Sequence, residues 1–149
     1  MMEDYEALTE ILKSDRRFSI ETYRFMEEAL RYANELGMAA GSDSEELPDG
    51  VRERYARNAG HVTGQDLCYA AAEYAVREYG LMARQVLSQL GIRKTGDLGD
   101  VVYNMIRYGF IFQSDDDTRE DFDNVFDLGA ELDRLFQFQY KIDSHKNAR

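Results

Sequence analysis

Acidic side chains are concentrated between Phe112 and Asn124, where they could bind a metal ion. The segment holds six carboxylates: Asp115, Asp116, Asp117, Glu120, Asp121 and Asp123. A calcium-binding EF-hand loop needs oxygen ligands at positions 1, 3 and 5, glycine at 6 and glutamate at 12. Registers that start at Asp115 or Asp116 do not meet this pattern. We therefore interpret the acidic segment as a solvated turn and predict no metal site.

A second candidate is the stretch HVTGQDL, which places a histidine ahead of a predicted helix. His61 could anchor the chain by hydrogen bonds to the backbone, or line a pocket with Thr63, Gln65 and Asp66. An enzyme could use Asp66 to orient His61, but no serine or cysteine nucleophile is evident nearby. One histidine without a second ligand at metal-binding spacing cannot build a zinc site. We predict a structural anchor and no catalytic residue.

The remaining patterns point away from cofactor chemistry. Cys68 is the only cysteine, so no intrachain disulfide forms, and its alanine neighbours favour a small core residue over a reactive thiol. The glycines around Thr63 lack the G-x-x-x-x-G-K-[ST] spacing of a phosphate-binding loop. We therefore predict no cofactor.

Charge and hydropathy limit the class of partner. The chain has 149 residues with 18 basic and 29 acidic side chains, a net charge of −11. Binding to a nucleic-acid backbone or to anionic lipid depends on Lys and Arg, so both are disfavoured. The N-terminal stretch lacks the features of a signal peptide, and no apolar run is long enough to span a membrane. We expect a soluble cytoplasmic protein.

Helical periodicity sets the predicted organisation of the chain. Residues 1–39 are predicted to form a helical hairpin, with Ser19 as the N-cap of its second helix. Residues 40–60 contain the only proline, and we interpret them as a loop or linker. Residues 61–142 form the predicted helical core and residues 143–149 a polar tail. We predict that all of these segments belong to one compact domain.

Short signals mark where the later helices begin and end. Thr63 and Asp66 have the spacing of a capping box, and small residues follow them on a helix that others could approach closely. Thr95 is predicted to cap the third helix of this half. Gly91 and Gly109 follow periodic stretches and predict helix C-termini, because glycine readily adopts the left-handed conformation found there.

After Gly109 the apolar period changes from 3.6 to 2, which predicts an antiparallel β-hairpin over residues 110–128. Its strands would consist of Phe110, Ile111 and Phe112, and of Val125, Phe126 and Leu128. The predicted fold class is therefore mainly α, an α+β helical domain with a small antiparallel hairpin.

Three helices followed by a hairpin resemble a winged helix-turn-helix, and the resemblance covers residues 64–128. A winged helix of this kind implies DNA recognition by its third helix. From Ile92 to Leu128, however, four basic residues stand against nine acidic ones. If this fold forms, we expect it to contact protein rather than DNA.

Several motifs spread over most of the chain carry a second resemblance. They are DRRF at 15–18, TYRFMEEAL at 22–30, HVTGQDL at 61–67, ARQVLSQLGI at 83–92, DLGDVVYNMI at 97–106 and SDDDTREDF at 114–122. In these motifs the chain resembles a family of small conserved bacterial proteins of unknown function. The resemblance implies no activity, substrate or cofactor.

We therefore predict a non-enzymatic protein-interaction or adaptor domain, which could form a homodimer through an apolar first or last helix. Arg16, Arg17, Arg93 and Lys94 are the predicted contacts to a partner. The first alternative is a nucleic-acid-binding regulator of winged-helix type. It requires these four residues to share one face with three more arginines: Arg52, Arg54 and Arg57. The second alternative is an enzyme with a pocket around His61.

Overall fold

The computed structural model describes residues 4–39, 62–113 and 117–147. This part of the chain contains six α-helices: α1 (Tyr5–Ser14), α2 (Ile20–Ala39), α3 (Gly64–Tyr79), α4 (Ala83–Gln89), α5 (Thr95–Arg107) and α6 (Leu128–Asn147). Two short 3₁₀ helices complete it: Gly80–Met82, which links α3 to α4, and Arg119–Phe122, which precedes α6. The predicted linker over residues 40–60 lies outside the described residues.

The two predicted N-terminal helices are confirmed as α1 and α2. The Asp4 carboxylate caps α1 by accepting hydrogen bonds from the N–H groups of Glu6 and Ala7. Thr22 lies buried in the first turn of α2, where its hydroxyl accepts from the Ser19 N–H at 3.1 Å. The same hydroxyl donates to the Leu90 carbonyl at 2.8 Å, which ties the start of α2 to the end of α4.

Helix α3 lies at the centre of the fold and contacts α2, α4, α5 and α6. Its predicted capping box is confirmed. The Thr63 hydroxyl accepts from the Asp66 N–H, and the Asp66 carboxylate accepts from the Thr63 N–H, both at 3.1 Å. The buried surface of α3 is built largely from small side chains: Cys68, Ala70, Ala71, Ala72 and Ala75. Small side chains allow several neighbouring helices to approach the backbone of α3.

Both predicted glycine termini are confirmed. Gly91 and Gly109 follow α4 and α5 with φ angles of +85° and +81°, in the left-handed region. The N–H of Ile92 donates to the Leu87 carbonyl at 2.8 Å, and Phe110 makes the equivalent bond at the end of α5. These are Schellman motifs, which satisfy the last carbonyls of each helix and return an apolar side chain to the core.

The predicted cap of α5 is wrong by one position. Lys94 occupies the N-cap, and Thr95 is the first helical residue. The buried Thr95 hydroxyl instead accepts a hydrogen bond from the Val125 N–H at 3.2 Å. Asp97 closes the start of the helix, because its carboxylate accepts from the N–H groups of Arg93 at 2.9 Å and Lys94 at 3.2 Å.

The predicted β-hairpin over residues 110–128 is wrong, and with it the α+β fold class. The described residues form no strand and are mainly helical. Phe110 and Phe112 would point to the same face of a strand and would both be buried there. In the structure Phe110 is buried, whereas Phe112 is 99% exposed. Leu128, predicted in the second strand, begins α6, where the Asp127 carboxylate accepts from the Ala130 N–H.

The second 3₁₀ helix is held against the helices by Phe122. A Cβ atom added to Gly99 of α5 would lie 2.6 Å from the Phe122 Cβ, and one added to Gly64 of α3 would lie 2.9 Å from its ring. Phe122 therefore fits only because both helices carry glycine at the point of contact. A buried aromatic ring between two helices replaces the strand pairing that the sequence pattern predicted.

We expect Gly99→Ala to lower the free energy of unfolding by about 1–3 kcal/mol, since the added methyl group overlaps Phe122 and overpacking has this cost. Gly129→Ala is the matched control. The three atoms nearest to its added methyl group would belong to the guanidinium of Arg84, a side chain that can move aside. Urea unfolding of both variants measures the difference. An unchanged or raised stability of Gly99→Ala would contradict the close contact with Phe122.

Candidate functional site

Five charged side chains form an ion-pair network: Asp15, Arg17, Asp100, Arg119 and Asp123. The Arg17 guanidinium donates to Asp15 at 2.7 Å and to Asp100 at 3.0 Å. The Arg119 guanidinium donates to the second oxygen of Asp100 at 2.6 Å and to Asp123 at 2.9 Å. Asp100 thus bridges two arginines, and the network joins the loop after α1 to α5 and to the second 3₁₀ helix.

Asp15 is the partly buried member of the ion-pair network that lies beside the buried Asn104. The hydrogen-bonded Arg17 guanidinium lowers the pKa of Asp15 from 3.8 to about 2, against the opposing effect of burial. The Asn104 amide also donates to Asp15 at 3.1 Å and to the Tyr23 hydroxyl at 3.3 Å. Burial raises the pKa of Tyr23, which keeps that hydroxyl neutral. These groups hold each other in place, which is a structural role.

The predicted partner contacts lie around this network. Arg17 forms ion pairs with Asp15 and Asp100. The side chains of Arg16, Arg93 and Lys94 are exposed. The structure brings Arg17 close to the start of α5, because its guanidinium lies 3.9 Å from Asp97. Asp97 also accepts from the backbone N–H groups of Arg93 and Lys94. Three carboxylates therefore lie around Arg17, one of the four predicted partner contacts.

The three arginines that the nucleic-acid alternative also requires, Arg52, Arg54 and Arg57, lie outside the described residues. His61 lies outside them as well, so a pocket or dyad around it stays a prediction. Of its predicted companions, Thr63 and Asp66 form the capping box of α3, and Gln65 is exposed. Burial raises the pKa of the neighbouring Cys68 thiol to about 12, in keeping with its predicted role as a core residue.

The acidic segment is not a solvated turn throughout. Asp115 and Asp116 lie outside the described residues, but Asp121 accepts from the Thr118 N–H at 2.9 Å and caps the second 3₁₀ helix. Asp123 belongs to the ion-pair network. Within residues 4–39, 62–113 and 117–147, no group of three or more His, Cys, Asp or Glu side chains could hold a metal ion. Among the described acids of this segment, Asp121 and Asp123 therefore have structural roles.

A surface that sequence reasoning missed runs along the contact between α2 and α3. Four aromatic rings touch in series, and we refer to them as the aromatic strip: Phe25, Tyr32, Tyr74 and Tyr79. Ring centroids lie 5.7 Å apart for Phe25 and Tyr74, and 5.9 Å apart for Tyr32 and Tyr74. Tyr79 stacks on Phe25, with the ring centroids 6.5 Å apart. Phe25 is buried, and the three tyrosines are half-buried, so part of each tyrosine remains open to a partner.

The chain beyond the aromatic strip carries two exposed aliphatic side chains, which we call the apolar corner: Leu81 and Met82. They are 74% and 53% exposed. Gly80 has a φ angle of +55° and turns the chain out of α3, and the buried Ala83 returns it to the core. Leu81 and Met82 are therefore held outward at a short turn between two packed helices.

Charged side chains border the aromatic strip. Arg24 and Arg31 pair with Glu21 and Glu28 along the surface of α2, at 3.2 Å and 2.9 Å. The Arg77 guanidinium lies 5.4 Å from the centroid of the Tyr32 ring, within range of a cation–π contact. The strip therefore offers ring faces and carboxylates side by side.

The sequence does contain a signal for this surface. On α2 the residues Glu21, Phe25, Glu28, Tyr32 and Glu35 follow steps of four and three, so they share one helical face. Acids alternate with aromatic rings in this series. Only the tertiary structure shows that α3 adds Tyr74 and Tyr79 to the same surface.

No protein-family model, curated protein or solved structure matches the chain significantly. The resemblance to small bacterial proteins of unknown function therefore stays a prediction. The winged-helix resemblance lacks the hairpin on which it rests, because the described residues of the segment 110–128 form no strand. In the described part of the chain, every helix is too short or too polar to cross a membrane. The function of the surface has to be inferred from its own geometry.

We expect the ion-pair network to make stability depend on pH in the acid range. The pKa of Asp15 is about 2 in the folded protein and near 3.8 when unfolded, so its contribution is present above pH 3.8. The contribution is lost as the pH falls through about 2, where the folded protein also binds the proton. Asp15→Asn should be less stable than the wild type at neutral pH, and the difference should shrink between pH 4 and 2.

Urea unfolding of both proteins across this pH range measures the effect. Asp133→Asn, an exposed change on α6, serves as the control and should show no such convergence. A constant difference between wild type and Asp15→Asn down to pH 2 would show that the charge of Asp15 is not what stabilises the network.

Proposed function

We propose that the chain is a non-enzymatic protein-interaction module that binds its partner through the apolar corner and the aromatic strip. The observation that carries the proposal is the exposure of Leu81 and Met82 at a turn between two packed helices, where Leu81 is separated from Tyr79 by one glycine. Single exposed aliphatic residues are common, but two consecutive ones beside a series of aromatic rings offer a larger apolar surface.

The side chains of this surface are of the types that dominate binding energy at interfaces. Tyrosine, methionine and arginine are enriched there, because tyrosine covers a large area at low entropic cost and methionine adapts to its partner. Tyr74 and Tyr79 already touch neighbouring rings, so little rotamer freedom remains to be lost on binding. This preorganisation supports a binding role for the strip.

The ion-pair network weighs against the nucleic-acid alternative. A phosphate backbone needs available cations, whereas Arg17 and Arg119 are engaged by three carboxylates. The predicted homodimer through the first or last helix remains a separate proposal. Light scattering after size exclusion at micromolar concentration tests it, and a monomer there would end it.

We expect the double variant Leu81→Ser, Met82→Ser to keep the fold and lose the partner, because both side chains already lie in solvent. The wild type and the variant, immobilised as bait for an extract of the native cells, are compared by quantitative mass spectrometry. A specific partner should be enriched on the wild type and depleted at least tenfold on the variant. The purified partner should then bind the wild type in calorimetry.

Phe112→Ser is the matched control, since Phe112 is also a large exposed apolar side chain but lies beyond α5. It should retain the partner. Capture of the same proteins by wild type and double variant, or equal losses in both variants, would overturn the proposed function. Circular dichroism and urea unfolding confirm that each variant is folded.

A further inference from the structure

We infer that the partner of this surface is a basic amphipathic segment, with apolar side chains that cover Leu81 and Met82 and arginine or lysine side chains that meet the acids of the aromatic strip. This inference rests on the proposed function and adds the chemistry of the partner. It follows from the charges around the rings.

Uncompensated carboxylates border the strip at both ends. Glu78 makes no ion pair with any described residue, and neither does Glu35. Glu78 follows Tyr74 by four positions on α3 and directly precedes Tyr79, so it lies on the same stretch of helix surface as Tyr74. Burial is the main cause of the raised pKa of Tyr74 and of Tyr79, and the Glu78 carboxylate contributes to both. Glu35 follows Tyr32 by three positions on α2, within one helical turn. Burial is the main cause of the raised pKa of Tyr32, to which Glu73 and then Glu35 contribute. A partner that brings cations here would relieve these negative charges.

The existing ion pairs of the strip do not block such a partner. Glu21 and Glu28 pair with Arg24 and Arg31 on the exposed face of α2. Exposed pairs of this kind add little stability, because water and salt screen them, so an incoming cation can join or replace them. Four carboxylates along one surface are therefore accessible to a basic segment.

The ring faces provide a second contact for the same cations. Arg77 already places its guanidinium over Tyr32 and donates to the Tyr32 hydroxyl at 3.4 Å. A partner arginine over Tyr74 or Tyr79 could make the same cation–π contact while it pairs with Glu78. Arginine suits this arrangement better than lysine, because its planar group stacks on a ring and donates at its edge.

The length of the surface sets the length of the segment. From Glu21 to Glu35 the face of α2 extends over about 21 Å at 1.5 Å per residue. A helix of about 16 residues covers this distance. A second copy of this chain is a poor occupant, since each copy carries a net charge of −11.

The test uses three synthetic peptides of about 16 residues. The first places leucine on one helical face and arginine on the other; the second has glutamate for each arginine, and the third has serine for each leucine. Fluorescence anisotropy with the full chain at about 50 and 300 mM NaCl gives each Kd. We expect only the first peptide to bind in the micromolar range, with weaker binding at high salt.

Matched variants locate the binding. Glu78→Lys should weaken the first peptide about tenfold, and Leu81→Ser, Met82→Ser by a similar factor. Glu120→Lys makes the same change of charge in the second 3₁₀ helix, which contacts the opposite, N-terminal end of α3, and should change the Kd less than twofold. An equal loss in Glu78→Lys and Glu120→Lys would mean general attraction to an acidic protein and would overturn the inference.

The outcomes separate this inference from the proposed function. Failure of the arginine–leucine peptide to bind, or equal binding of the glutamate peptide, overturns the basic partner. If the double variant still loses its cellular partner in that case, the interaction surface stands with a partner of other chemistry. If the double variant keeps every cellular partner, the proposed function itself fails.

Discussion

The fold depends on how closely other helices can approach α3. Its alanine-rich surface removes side-chain bulk, so that α2, α4, α5 and α6 all contact one helix of about 24 Å. Close approach increases the number of van der Waals contacts around the buried backbone, which is where a core of this size gains its packing energy. The aromatic strip is a consequence, because rings on α2 and α3 meet only where these two helices lie side by side.

The ion-pair network holds the second 3₁₀ helix near the N-terminal end of α3, away from the C-terminal end that carries Tyr79. Asp100 accepts from Arg17 and Arg119 with different oxygens, and this arrangement holds the second 3₁₀ helix where Phe122 can enter between two glycines. Charged groups in partly buried positions are stable only when each has partners. The chain therefore uses its acids for organisation at this end, and leaves acids available beside the aromatic strip at the other.

This division explains how one acidic chain can carry both a structural and a candidate binding role. At the network, carboxylates are matched by guanidiniums within the molecule. Along the strip, Glu78 and Glu35 have no such match among the described residues, and the neighbouring rings are partly open. The difference in charge compensation, rather than the total charge, distinguishes the two ends.

Much of the local structure followed from the sequence by itself. The helical period, the capping box of Thr63 and Asp66, and the glycine termini at Gly91 and Gly109 depend on neighbours within a few residues, so the pattern was sufficient. The predicted hairpin was wrong because the same sequence pattern of alternating apolar residues near Phe112 arises in two cases. Either a strand forms, or individual aromatic side chains pack into a helical core, as Phe110 and Phe122 do. Only the tertiary structure decides between them, through the space beside Gly64 and Gly99. The aromatic strip likewise combines residues from two helices that are more than forty positions apart in the chain, and no local pattern encodes that their rings meet.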